Sequence, residues 1–181
     1  PQNVSFVEDM KGWAAKAKNI YIWDYVVSFS NYVMPLPNFA VLQSNIKTLR
    51  DHNAIGIMEQ AAYQSRGGDF SELKAYLIAK LLWNPEAEVE PIINDFMYGF
   101  YGRSGQYIRE YFDLAQNLVT PDTHFMIWIK PNDPLYNENF IKEAGVIFDQ
   151  AERVADNPDV LARVELARLP LLYLKCKRTP K

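Results

Sequence analysis

The sequence predicts an α/β fold: the end of a larger α/β domain, followed by a mostly α-helical region. Three observations lead there. Two nearly apolar runs, IYIWDYVV from Ile20 and AIGIMEQAAY from Ala54, have the β-branched and aromatic content of strands buried on both faces. An amphipathic stretch lies between them, so the three make a right-handed βαβ unit with parallel strands. After this unit, helical spacing recurs almost to the end of the chain. Two parallel strands cannot stand as a sheet alone, and such a sheet needs both faces covered. The unit therefore belongs to something larger. The expected division is an α/β part over residues 1–83 and a helical domain over 84–181.

Each element has its own signal. Residues 4–18 place Phe6, Met10, Trp13 and Ala17 at helical spacing. The first strand spans 20–26. A helix over 39–52 follows, with Asn38 as its N-cap and Phe39, Leu42, Ile46 and Leu49 as its apolar stripe. The second strand covers 54–60. Asp69 reads as the N-cap of a helix running to Trp83, with Glu72 three residues on and Leu73, Tyr76, Leu77, Lys80 and Leu81 repeating along it. A helix over 88–101 tolerates Pro91 in its first turn and ends at Gly102. Ser104 opens the next, with Ile108, Tyr111, Phe112, Ala115 and Leu118 on one face. Pro121, Pro131 and Pro134 surround HFMIWI, which reads as a loop or a short strand. Helices near 138–156 and 158–176 close the chain, the second kinked at Pro170.

Composition narrows the function classes. The apolar share of 49% and charged share of 23% belong to an ordinary globular protein rather than a disordered one. Net charge is −3 and no Lys/Arg face is clustered, which argues against nucleic acid as a partner. Lys175, Lys177, Arg178 and Lys181 read as a frayed basic end. Apolar runs such as YLIAKLLW are too short to cross a bilayer. Cys176 is alone, which excludes an intrachain disulfide and a Cys-based metal site. His52 and His124 lack a second His at helical spacing, so no metal is expected. RGGD and YGRSG lack the strand context and the Lys of a phosphate loop, and no nucleophile elbow is present. LLW, FMYGF and EYFDL are helix core stripes, so no cofactor is expected either.

The chemistry concentrates where the strands run out. Strands of an α/β barrel present functional side chains at their C-terminal ends. Here those are Trp23, Asp24 and Tyr25 on the first strand, and Met58, Glu59 and Gln60 on the second. Alternation turns Trp23 and Tyr25 to one face and Asp24 to the other. Glu59 shares a face with Ile55 and Ile57, and Gln60 shares one with Gly56 and Met58. Rings stack on the apolar patches of a pyranose, while carboxylates and amides bond its hydroxyls. Asp24 and Glu59 admit three readings: an acid/base pair across a glycosidic bond, a turn cap and an ion-pair partner, or substrate binding without chemistry. The last is preferred. Trp23, Tyr25 and Glu59 are expected to meet at the rim of a concave surface. Phe29, Tyr32 and Tyr63 are either lid packing or ligand platforms, and Asn31 serves the loop backbone.

YIWDYVVSFSNYVMPLPNF, GIMEQ and LKAYLIAKLLWNPEAEVEPIINDFMYGFYG together resemble the bacterial domain-of-unknown-function family 4838, over about residues 5 to 120. Its members look like glycoside hydrolases with a (β/α)8 TIM-type barrel, related to hexosaminidases and α-glucuronidases. The resemblance makes 20–26 and 54–60 the last two strands of that barrel. It implies a carbohydrate substrate, sugar contacts from Trp23, Asp24, Tyr25, Tyr32, Glu59 and Gln60, and a periplasmic or extracellular location. In the related enzymes a Trp near the end of strand seven lines the sugar pocket, and Trp23 matches that position. Their acid/base carboxylates usually sit on strand four, which this chain does not contain, so the catalytic residues are not assigned. The partner implied is the N-terminal part of the barrel, or a second copy of the chain. Two alternatives stand beside this reading: a carbohydrate-binding protein on a barrel that has lost catalysis, and a helical interaction module.

Overall fold

A computed structural model describes residues 4–63, 66–124 and 126–178. Helix α1 (Val4–Lys16), strand β1 (Ile20–Tyr25), helix α2 (Phe39–Asp51) and strand β2 (Ala54–Gln60) follow one another. The strands are parallel neighbours, as the sequence predicts, with Trp23 opposite Met58, Asp24 opposite Glu59 and Tyr25 opposite Gln60. Pairing runs one step further, where Val26 N–H donates to Gln60 O at 3.1 Å. Among the described residues the sheet has these two strands. The four apolar positions read for α2 are all buried. Its first amide is not capped by Asn38, whose side chain turns to the Val26 carbonyl; Gln116 Oε1 accepts from Phe39 N–H instead.

The helical region is built from α3 (Ser71–Trp83), α4 (Val89–Tyr101), a 3₁₀ turn over Gly102–Ser104, α5 (Gly105–Gln116), α6 (Glu138–Arg153) and α7 (Pro158–Arg178). Gly102 adopts φ +52° to turn the chain out of α4. Gly105 lets α5 pass close to α4: a Cβ there would lie 2.5 Å from the Met97 carbonyl oxygen. Asn137 caps α6, accepting from Phe140 N–H at 2.9 Å. Pro170 sits inside α7, which continues through it to Arg178. Arg178 donates to the carbonyls of Pro131 and Asp133, so the basic tail is helical and docked as far as that residue; Lys181 lies outside the described residues. Residues 120–136 form turns rather than a strand where described, and Phe125 is outside the described residues.

One apolar core runs from Val26 to Leu174 and joins residues on both sides of position 83. Its centre is aromatic. Phe39 lies 4.9 Å from Phe112, and Phe70 stacks on Tyr111 at 5.7 Å, both in the edge-on or offset arrangements that ring quadrupoles favour.

The sequence reading of α3 is corrected here. Asp69 is not the N-cap of α3: Phe70 takes that position in the left-handed conformation, and Asp69 is buried. Its carboxylate accepts from Leu36 N–H at 2.9 Å and pairs with Lys74 at 3.5 Å, while Lys74 Nζ donates to Leu36 O at 3.3 Å. The buried stripe of α3 is therefore Leu73, Lys74, Leu77, Ile78 and Leu81, rotated from the expected one. Helix α1 forms as its spacing predicts, with Met10 buried and Phe6 and Trp13 exposed.

Candidate functional site

Beyond β1 the chain leaves the sheet and runs through a loop to Pro35 and Pro37, neither of which could donate to a strand ladder. The loop turns through Asn31, whose carboxamide accepts from Val33 N–H at 2.9 Å, as expected of a residue serving loop backbone. Met34, Pro35, Leu36 and Pro37 are all buried, and the Asp69–Lys74 pair grips both polar atoms of the Leu36 peptide groups. Asp69 N–H also donates to Tyr32 O at 3.0 Å. The loop carrying Phe29 and Tyr32 is thus anchored from beneath by two charged residues in the core.

The two faces of the sheet differ. Ile57 packs against the core, and its face-mates Ile22, Asp24 and Glu59 are half-buried. Tyr21, Trp23 and Tyr25 point the other way and are 79%, 64% and 45% exposed. Trp23 is held in place: its indole Nε1–H donates to Gln60 Oε1 at 2.7 Å. At the edge of β1, a groove of about 460 Å³ opens between α1, β1 and α2, lined by Met10, Tyr21, Trp23, Asp24 and Thr48 among others.

The candidate residues therefore divide. Trp23, Tyr25 and Gln60 share the open face. Asp24 and Glu59 share the helix-covered face, so Glu59 is at the same strand ends as Trp23 and Tyr25 but not beside them. This corrects the expected cluster, and strand alternation is the physical reason. Burial pushes the Glu59 carboxyl up to about 7, and the Asp24 charge adds to this. Burial raises Asp24 as well, opposed by the hydrogen bond from Tyr25 N–H at 2.7 Å. Glu59 Oε2 is buried without a hydrogen-bond partner, and Glu59 has no cationic partner among the described residues, contrary to the ion-pair reading. A carboxyl that holds its proton near neutral pH can donate one. Here it faces away from the exposed rings.

Tyr32 belongs to a third group, the ring cluster above the strand ends. Phe29 is its hub, with edge-on contacts to Tyr25 at 5.1 Å and Tyr32 at 5.4 Å; Tyr32 in turn lies 6.1 Å from Tyr63. One member was not anticipated. Trp128 packs edge-on to Phe29 at 6.2 Å, because Ile127 O accepts from Phe29 N–H and draws the segment between α5 and α6 onto the β1 loop. The signal was present in the alternation of IWI, but its prolines mask where the run docks.

No group of three or more His, Cys, Asp or Glu side chains arranged for a metal exists among the described residues. No helix among them is long and apolar enough to cross a membrane. The family model described as Domain of unknown function (DUF4838) matches residues 1–113. No curated protein matches the chain. No solved structure matches it.

Proposed function

We propose that this chain, which belongs to the DUF4838 family, contributes the sugar-contact face of a glycoside-hydrolase-like (β/α)8 barrel in which β1 and β2 are the last two strands. The observation that carries the reading is the open face of the sheet. Three aromatic side chains in alternate positions, Tyr21, Trp23 and Tyr25, stand exposed there, and the most sugar-like platform among them, Trp23, is oriented by Gln60. An exposed indole held by a hydrogen bond offers a flat apolar surface, while the Gln60 amide retains an N–H₂ group for a hydroxyl. The helical-module alternative called for strand-end aromatics packed without a cleft, and these rings are exposed.

Within the chain the role is binding rather than chemistry. Glycoside hydrolysis needs two carboxyl groups about 5–10 Å apart across the scissile bond. Asp24 and Glu59 are on the face turned from the rings, so the catalytic pair of the reading lies on other strands. The same strands would cover the open face and the free edge of β1, whose unpaired backbone groups favour association. The test is Trp23→Ala in the full-length protein, titrated calorimetrically with the oligosaccharide it binds. A loss of about 1–3 kcal/mol is expected, the scale of aromatic stacking on a flat ligand. Unchanged affinity overturns the reading.

A further inference from the structure

We propose that Trp128 is a second ring-stacking residue of that sugar site, brought to it by the segment between α5 and α6; the inference rests on the sugar-site reading of Trp23. The segment is anchored on both sides of this residue. Ile127 O accepts from Phe29 N–H at 2.6 Å and from Ser30 N–H at 3.3 Å. Ile129 is buried in the core, and its N–H donates to Met126 O at 3.0 Å. Between these anchors Trp128 is 56% exposed. An indole left in water between the half-buried Ile127 and the buried Ile129 gains little as packing: its contact with Phe29 is a T-shaped approach at 6.2 Å, which occupies at most one face of the indole. Phe29 also touches Tyr25 and Tyr32, so Trp128 extends a run of rings that begins on β1 and curves over the strand ends. A flat ligand seated on Trp23 and Tyr25 meets Trp128 as a side wall. The family match ends at residue 113, so this wall comes from outside the matched region.

The experiment uses the full-length protein on a printed array of neutral, N-acetylated and uronic-acid oligosaccharides, followed by titration of the glycan bound best. Trp128→Leu keeps an apolar contact with Phe29 but offers no flat face; Trp128→Phe restores one. Affinity should fall roughly 5- to 100-fold in Trp128→Leu and recover for the most part in Trp128→Phe, with the melting temperature little changed in both. Normal binding by Trp128→Leu alongside a weakened Trp23→Ala overturns this inference and leaves the sugar-site reading standing. A loss that Trp128→Phe does not restore, or one that tracks a lowered melting temperature, assigns Trp128 to packing and also overturns it. Normal binding by both the Trp128 and Trp23 variants, or no glycan bound by the wild type, removes both readings.

Discussion

Trp23 and Gln60 are joined across two parallel strands, indole Nε1 to amide Oε1 at 2.7 Å, on a sheet face that is otherwise open. Their Cα positions are not directly opposite, since Trp23 pairs with Met58 and Gln60 with Tyr25, so the bond runs diagonally and sets the ring across the strand axis. Both side chains stand at the surface, where water replaces a lost hydrogen bond at little net loss.

Gln60→Leu should therefore leave stability within about 0.5 kcal/mol of wild type while freeing the indole to sample other rotamers. The ¹⁹F resonance of 5-fluorotryptophan at position 23, assigned with Trp23→Phe, should shift and narrow. A resonance that stays put means the bond does not orient the ring.

Glu59 and Asp24 make stability depend on pH. The Glu59 carboxyl sits at about 7 in the folded chain against an ordinary 4.5, so the fold favours its protonated form. That contribution is fully present below the ordinary value and is lost as pH rises through about 7. Asp24 is raised for the same reason and acts in the same direction. Glu59→Gln mimics the protonated form. It should match wild type at about pH 4 and exceed it by about 1–2 kcal/mol at about pH 8, allowing for solvent screening at a half-buried position. Urea midpoints across this range decide it, and a variant less stable than wild type at the alkaline end contradicts the assignment.

Lys74 is completely buried, and its ammonium is satisfied by Asp69, by Leu36 O and by the Phe39 ring 5.2 Å away. Lys74→Met strands the Asp69 carboxylate in the core and should lower stability by about 3–5 kcal/mol. Adding Asp69→Asn removes the stranded charge yet keeps an acceptor for Leu36 N–H, so the double variant should recover more than half of that loss. Urea unfolding at neutral pH measures both. Equal losses in the single and double variants would mean the ion pair is not what holds the loop.

Local rules written along the chain were enough for most elements. Spacing of three and four residues located the helices, and Phe39, Leu42, Ile46 and Leu49 are all buried as read. Alternation separated Trp23 and Tyr25 from Asp24 correctly, because a strand's period of two needs no tertiary information. The family was also legible, carried by blocks that spread across the matched residues. What escaped were features set by partners distant in sequence. The choice of which face is covered depends on where α2 and the core lie, so the position of Glu59 relative to Trp23 had to await the packing. Asp69 has the composition and spacing of an N-cap; only the arrival of Leu36, 33 residues away, makes it a buried ion-pair partner. Lys74 lies on the apolar stripe of α3, and a lysine is assigned to solvent by default unless its acceptors are known. Trp128 reaches the strand ends because its neighbour Ile127 O accepts from Phe29 N–H, a contact between segments nearly a hundred residues apart that no local pattern encodes. Periodicity determines which side of an element is apolar; the tertiary structure decides what that side meets, because burial and pairing are properties of two surfaces rather than one.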